Sequence, residues 1–192
     1  MFNKTLLAVA TAALMAGASF NASADDTANQ GSGKITFTGE VISAPCSIAP
    51  GDEDQTINLG EVADSVLNSG QNSLPVPVTI HLQDCILSTT VSGTTTTIDK
   101  VKITFTSTGV DSTDTSLMKN NYEGNVGGAT GVGVRLLDSG SNKVVLGTPV
   151  TVAFNTTNAY QELDFQARME SLAKDATPGN VNAQANYVLD YK

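Results

Sequence analysis

The chain has 192 residues and a formal net charge of −9, with a pI near 4.3, a balance that argues against nucleic acid and anionic lipid as partners. Charged residues make up 15% of it, tryptophan is absent and there is a single histidine, so no metal and no cofactor is expected. Thr, Ser, Asn and Gly fill much of the polar share, the composition of short strands and turns in which β-branched threonine suits a pleated, half-wet face.

Met1 to Ala24 reads as a secretory signal peptide: Lys4 supplies the positive start, Leu6 to Ala18 the small and apolar run, and Ala22-Ser23-Ala24 the cleavage pattern. The run is too short and too alanine-rich for a membrane anchor, which predicts an exported chain beginning at Asp25. About 168 residues then remain, enough for one domain with a core.

Asp25 to Ser32 is polar. Gly33 to Cys46 alternates: Ile35, Phe37, Gly39, Val41 and Ser43 share one face of an extended segment, with Lys34, Thr36, Thr38 and Glu40 on the other. Gly51 to Gln55 is an acidic turn, Thr56 to Leu59 a short strand, and Glu61 to Leu67 one turn of helix. Leu74 to Leu82 is a strand whose Pro75 and Pro77 suit an edge or a strand start. Ser88 to Thr97 is a Ser/Thr-rich loop, and Val101, Ile103 and Phe105 mark a strand. Asp111 to Gly128 is a long polar connection. Gly131 to Asp138 and Lys143 to Leu146 form a hairpin around Asp138 to Asn142. Val150 to Phe154 and Leu163 to Ala167 alternate, and Thr177 to Asn180 turns into a last strand, Val181 to Tyr191. Eight or nine short strands with almost no helix predict an antiparallel, immunoglobulin-like β-sandwich.

Cys46 and Cys85 are the two cysteines. In an oxidising compartment one disulfide is the simplest pairing, and a metal pair or a catalytic thiol lacks partners. His81 alternates onto the face opposite Ile80 and Leu82, so it is an exposed strand residue rather than a general base, and no second histidine is present to build a zinc site. Asp52, Glu53 and Asp54 read as solvated turn carboxylates. Gly127 to Gly133 opens a strand and lacks a Lys-Ser/Thr ending, so it is not a phosphate loop. These readings predict a protein that is not an enzyme.

The last strand puts Ala183, Ala185, Tyr187, Leu189 and Tyr191 on one face, with one residue after it. That pattern predicts an open sheet edge and an apolar groove, to which a free alternating segment such as Ile35 to Val41 would add a strand.

On these residues the sequence resembles a chaperone–usher fimbrial subunit of the type 1 and P-pilus class. Gly33 to Ile48, with Pro45-Cys46, resembles the family's donor strand running into its first cysteine, and Asp84-Cys85 its second. Gly131-Val132-Gly133-Val134 with Leu136 and Asp138 resembles the central signature. Gly179, fourteenth from the last residue, and the penultimate Tyr191 match the terminal recognition motif, while Ser92 to Thr97 looks longer than in many members.

The resemblance implies an all-β, incomplete immunoglobulin-like sandwich lacking its final strand and completed by a donor strand from another subunit. It implies a signal peptide over 1–24, a donor extension over 25–44 and a pilin domain over 45–192. Ile35, Phe37, Gly39 and Val41 would form the donor face, and Gly179, Tyr187, Leu189 and Tyr191 the groove and chaperone recognition, with the Lys192 carboxylate meeting basic chaperone residues. The implied partners are neighbouring copies or related pilins, a periplasmic chaperone and an outer-membrane usher. The implied location is the cell-surface fimbria, reached through the periplasm and supporting adhesion. The alternative is a minor adaptor or tip adhesin, though an adhesin of this family carries an extra N-terminal lectin domain and lacks a free donor strand.

Overall fold

The structure is a computed structural model and describes residues 33–192. The expected signal peptide and the polar stretch up to Ser32 lie outside the described residues. The chain divides into two units, one ending at Val41 and one spanning Ile42–Lys192. In the first, Gly33 to Val41 form neither helix nor strand, and Ile35, Phe37 and Val41 are 78%, 88% and 99% exposed.

The second unit contains β1 (Ser47–Ile48), α1 (Asp64–Asn68), β2 (Val76–Gln83), β3 (Ser88–Val91), β4 (Thr94–Thr97), β5 (Lys100–Thr106), β6 (Leu117–Lys119), β7 (Gly133–Asp138), β8 (Val150–Ala153), β9 (Gln161–Glu170) and β10 (Asn186–Tyr191). They form a five-stranded sheet in the order β1-β2-β9-β7-β6, a three-stranded sheet in the order β10-β5-β8, and the separate hairpin β3-β4, all paired antiparallel. The alternation read from the sequence explains the core. Val101, Ile103 and Phe105 of β5 meet Ile80 and Leu82 of β2 and Leu163, Phe165 and Ala167 of β9 in one buried cluster. The Phe105 and Phe165 rings lock the two sheets edge to face at 4.9 Å, the favoured aromatic geometry. Each large side chain so buried contributes about 1.5–3 kcal/mol.

Pro77 sits on β2 opposite Gln166 of β9. Two-residue β1 reaches only Leu82 and Gln83, so the first half of β2 has one flank without a ladder and tolerates a residue that cannot donate.

Several expectations are corrected. The Ser/Thr-rich stretch 88–97 is a hairpin, not a loop: Ser92 and Gly93 both have positive φ, 51° and 82°, the two-residue turn that matches strand twist, and the flanking threonines are good strand formers. The helical turn begins at Asp64 rather than Glu61, because Gly60 turns at φ 72° and Glu61 to Ala63 stay non-helical. The return arm Lys143 to Leu146 is reduced to one bridge, Leu137 to Lys143, and the Val144 N–H bond to the Leu136 carbonyl. Asp138 takes over that turn by accepting from the Gly140 and Asn142 N–H groups. Neither Thr56 to Leu59 nor Val181 to Ala185 is a strand, for a reason that belongs to the site below.

Cys46 and Cys85 form the expected disulfide, closing a loop with a sequence separation of 39. It ties the segment before β1 to the end of β2, next to the Ile86 N–H bond to the Pro45 carbonyl. Replacing both cysteines by serine is expected to lower the unfolding free energy by about 4 kcal/mol, read as a fall in denaturant midpoint with a somewhat steeper slope, because the unlinked unfolded chain exposes more surface.

Candidate functional site

Thr56 to Val62 make no backbone–backbone hydrogen bond among the described residues, and neither do Ala183 to Ala185. Thr56 to Leu59, up to the turn at Gly60, and Val181 to Tyr187 nevertheless alternate like strands. Ile57, Leu59 and Val62 are half-buried between exposed neighbours, as are Val181, Ala183, Ala185 and Tyr187. The two segments are the walls of one open groove of about 1520 Å³. Its floor is the sandwich core itself: Ile80 of β2, Phe105 of β5, Met118 of β6, Leu136 of β7 and Ala167 of β9. Two rows of unpaired backbone groups facing each other over an apolar floor are the negative of one β-strand. This explains why the two expected strands are not formed: each has its side chains placed and its ladder partner missing.

The far wall is held by a residue that carries no mark in the sequence. Asn120 is 4% exposed, and its Nδ2 donates to the Ala129 carbonyl at 2.7 Å and to the Asn180 carbonyl at 2.9 Å. Its Oδ1 accepts from the Asn182 N–H at 2.9 Å. An asparagine inside a polar connection gives no periodic signal, so nothing in the sequence could have singled it out. Gly179 lines the groove beside this anchor, where a Cβ would overlap the backbone of Gly128 and Ala129. The Tyr187 hydroxyl ties β10 to the acidic turn, donating to the Asp52 carbonyl at 2.9 Å, while its ring packs 6.3 Å from Phe105. Burial raises the Tyr187 hydroxyl above its ordinary pKa, so it stays a donor.

Asp52 is more than a solvated turn acid. Its Oδ2 accepts from the His81 N–H at 2.6 Å and lies 2.7 Å from His81 Nδ1. Burial works against the carboxylate, but the His81 bonds outweigh it and hold Asp52 below its usual range. His81 is therefore a half-exposed strand residue, as expected, and it also clips the acidic turn to β2.

Of the sequence-predicted site residues, the structure brings Gly179 and Tyr187 to the groove. Leu189 and Tyr191 continue the same strand face past it into the core, where Tyr191 packs 6.1 Å from Phe154. Ile35, Phe37, Gly39 and Val41 lie in the first unit.

A second constellation is equally silent in the sequence. Arg135 is fully buried in β7. Its Nε donates to Glu170 Oε2 at 2.6 Å and its Nη2 to Asp114 Oδ2 at 2.8 Å, and Nη1 donates to the Ser116 hydroxyl. The Arg135 guanidinium, with the Ser116 bond, holds the Asp114 carboxyl far below its usual range.

A sandwich with one strand's place empty is the architecture of a subunit built to be completed by another chain. The model of the fimbrial protein family matches residues 35–192, and the chain belongs to that family. It is 56% identical to an uncharacterized fimbrial-like protein, YgiL, of Escherichia coli K12, over 100% of this chain and 98% of that one. It is 34% identical to a type-1 fimbrial protein A chain of Escherichia coli over 83% of each. A subunit in the solved structure of a chaperone–usher pilus superposes with a TM-score of 0.66 at 29% identity, covering 85% of this chain and 97% of that one. The protein is a structural subunit of a fimbria, a surface appendage. No helix among the described residues is long and apolar enough to cross a membrane.

Proposed function

We propose that the subunit polymerises head to tail by donor-strand exchange, and that it has no enzymatic role. Ile35 to Val41 of one copy fills the groove of the next. The observation that carries the reading is the pair of unpaired backbone rows over an apolar floor. The exposed, alternating Ile35, Phe37 and Val41 supply a face of matching chemistry. A strand added there satisfies both walls and buries three large side chains worth about 1.5–3 kcal/mol each. The contact joins two different surfaces and does not close on itself, so it builds a filament.

Before assembly the open groove is an aggregation hazard. A periplasmic chaperone that lends a strand, and an outer-membrane usher at which the strand is swapped, meet that need and give the exported subunit its route to the surface. Gly179, Tyr187, Leu189 and Tyr191 are proposed as the face the chaperone reads. A donor segment and a groove in the same chain fit a rod or adaptor subunit, which both gives and receives a strand, better than a tip adhesin, which only receives one. A synthetic peptide of residues 33–43 is expected to bind the extension-free subunit one to one when it displaces the chaperone, and to raise its thermal midpoint. A Gly39→Leu peptide is expected to do neither. Equal stabilisation by both peptides contradicts the reading.

A further inference from the structure

The hairpin β3-β4 stands apart from both sheets, and every residue in its two strands is exposed. Two-stranded hairpins are marginal in water without a covered face. Thr89 and Thr96, a cross-strand pair, line one side of a cleft of about 540 Å³. Ile42 to Pro45, with Ile86, Leu87 and Ile98, complete its lining. Val91 lies two residues along from Thr89 and so shares that face. In the cleft Ile42 and Ile86 are 56% and 65% exposed, and Val91, farther along the same hairpin face, is 71% exposed, large apolar side chains with no cover among the described residues.

We propose that this cleft is a second contact with a neighbouring copy, the same copy whose groove receives the donor segment. The inference rests on the donor-strand reading above. The length of the tether carries it. Val41 is only four residues from Pro45, and four extended residues span at most about 14 Å. Pro45 is fixed to the body by the Cys46–Cys85 disulfide beside it and by the Ile86 N–H bond. A copy that holds Val41 in its groove is therefore drawn up to Ile42, Ile86 and the Val91 face of the hairpin. The joint then has a rigid body contact in addition to an inserted strand, and the apolar cleft sets the angle between successive subunits.

The test uses fibres of the full chain with a benzophenone amino acid in place of Val91. Irradiation is expected to yield a dimer in fibres and none in the chaperone-held monomer. The cross-linked peptide of the acceptor copy is expected to come from residues 52–64 or 176–187. The same probe at Thr95, on the other face of the hairpin, is expected to lose that product. Fibres without the Val91 dimer, or a dimer through other segments, overturn the second contact while leaving the donor strand standing. Fibres from a chain lacking Gly33 to Val41 overturn the donor strand itself. Should the probe block assembly, the paired change Ile86→Ser with Val91→Thr keeps the volume small. It is expected to give fibres with a shorter persistence length in micrographs, and an unchanged persistence length contradicts the proposal.

Discussion

A chain lacking Gly33 to Val41 is expected to fold, form its Cys46–Cys85 disulfide and reach the periplasm, yet to appear in no surface fibre. The sandwich keeps all its strands, because the deleted residues belong to none of them. What is lost, on the donor-strand reading, is the set of side chains whose burial drives each joint, three residues at about 1.5–3 kcal/mol apiece. The substitution Gly39→Leu should act in the same direction with a smaller effect, from one residue. A Cβ at Gly39 has nothing within 4 Å in the free chain, so folding and export should be unaffected. On the donor-strand reading the groove leaves no room for a side chain at that point, and the larger residue is expected to be overpacked by about 1–3 kcal/mol per joint. Quantifying subunit in periplasmic and sheared-fibre fractions reads both. Normal fibre yield from the deletion is incompatible with donor-strand exchange.

The second large effect is on stability. Arg135→Met preserves length and apolar volume but leaves the Asp114 and Glu170 carboxylates around an empty centre. Glu170 keeps Arg168, whose Nη2 lies 2.6 Å from its Oε1, whereas Asp114 keeps its Ser116 hydrogen bonds but, as a counter-charge, only the half-exposed Lys143 at 3.6 Å. Breaking a buried pair from one side is expected to cost about 3–5 kcal/mol, a large fraction of a typical domain's roughly 5–15 kcal/mol. The cluster also sets an acid limit. The folded-state pKa of Asp114 is depressed, so its contribution is fully present above the unfolded carboxylate value of about 3.9 and is lost as pH falls through the folded value. Denaturant midpoints of the chaperone-held subunit should therefore fall in that acid window for the natural chain. They should fall less for Asp114→Asn, which is weaker at neutral pH.

Much of this architecture is legible from alternation alone. In β2, β5 and β9 the apolar residues repeat in period two because one face meets the core, and Val181 to Tyr191 carries the same mark along its whole length although only Asn186–Tyr191 is paired. A sequence reports which side chains point inward and does not report whether a neighbouring strand exists, so the groove walls read as ordinary strands. Arg135 is hidden by the opposite problem. β7 lies between β6 and β9 with Gly133 to Leu137 buried without interruption, and in a strand covered on both faces alternation no longer separates inside from outside. Its partners Asp114, Ser116 and Glu170 lie 21, 19 and 35 residues away, beyond any local pattern. The β3-β4 hairpin is legible in principle, since Ser92-Gly93 is a two-residue turn between threonine runs, but low complexity masks the strands.

The most direct test of the central claim is a fibre structure at a resolution that traces side chains. Continuous density is expected for Ile35 to Val41 of one copy lying between residues 56–62 and 181–187 of the next, paired to both walls, with Gly39 at the tightest point. A groove filled by its own chain's extension, or left empty while the subunits associate through other surfaces, would contradict it.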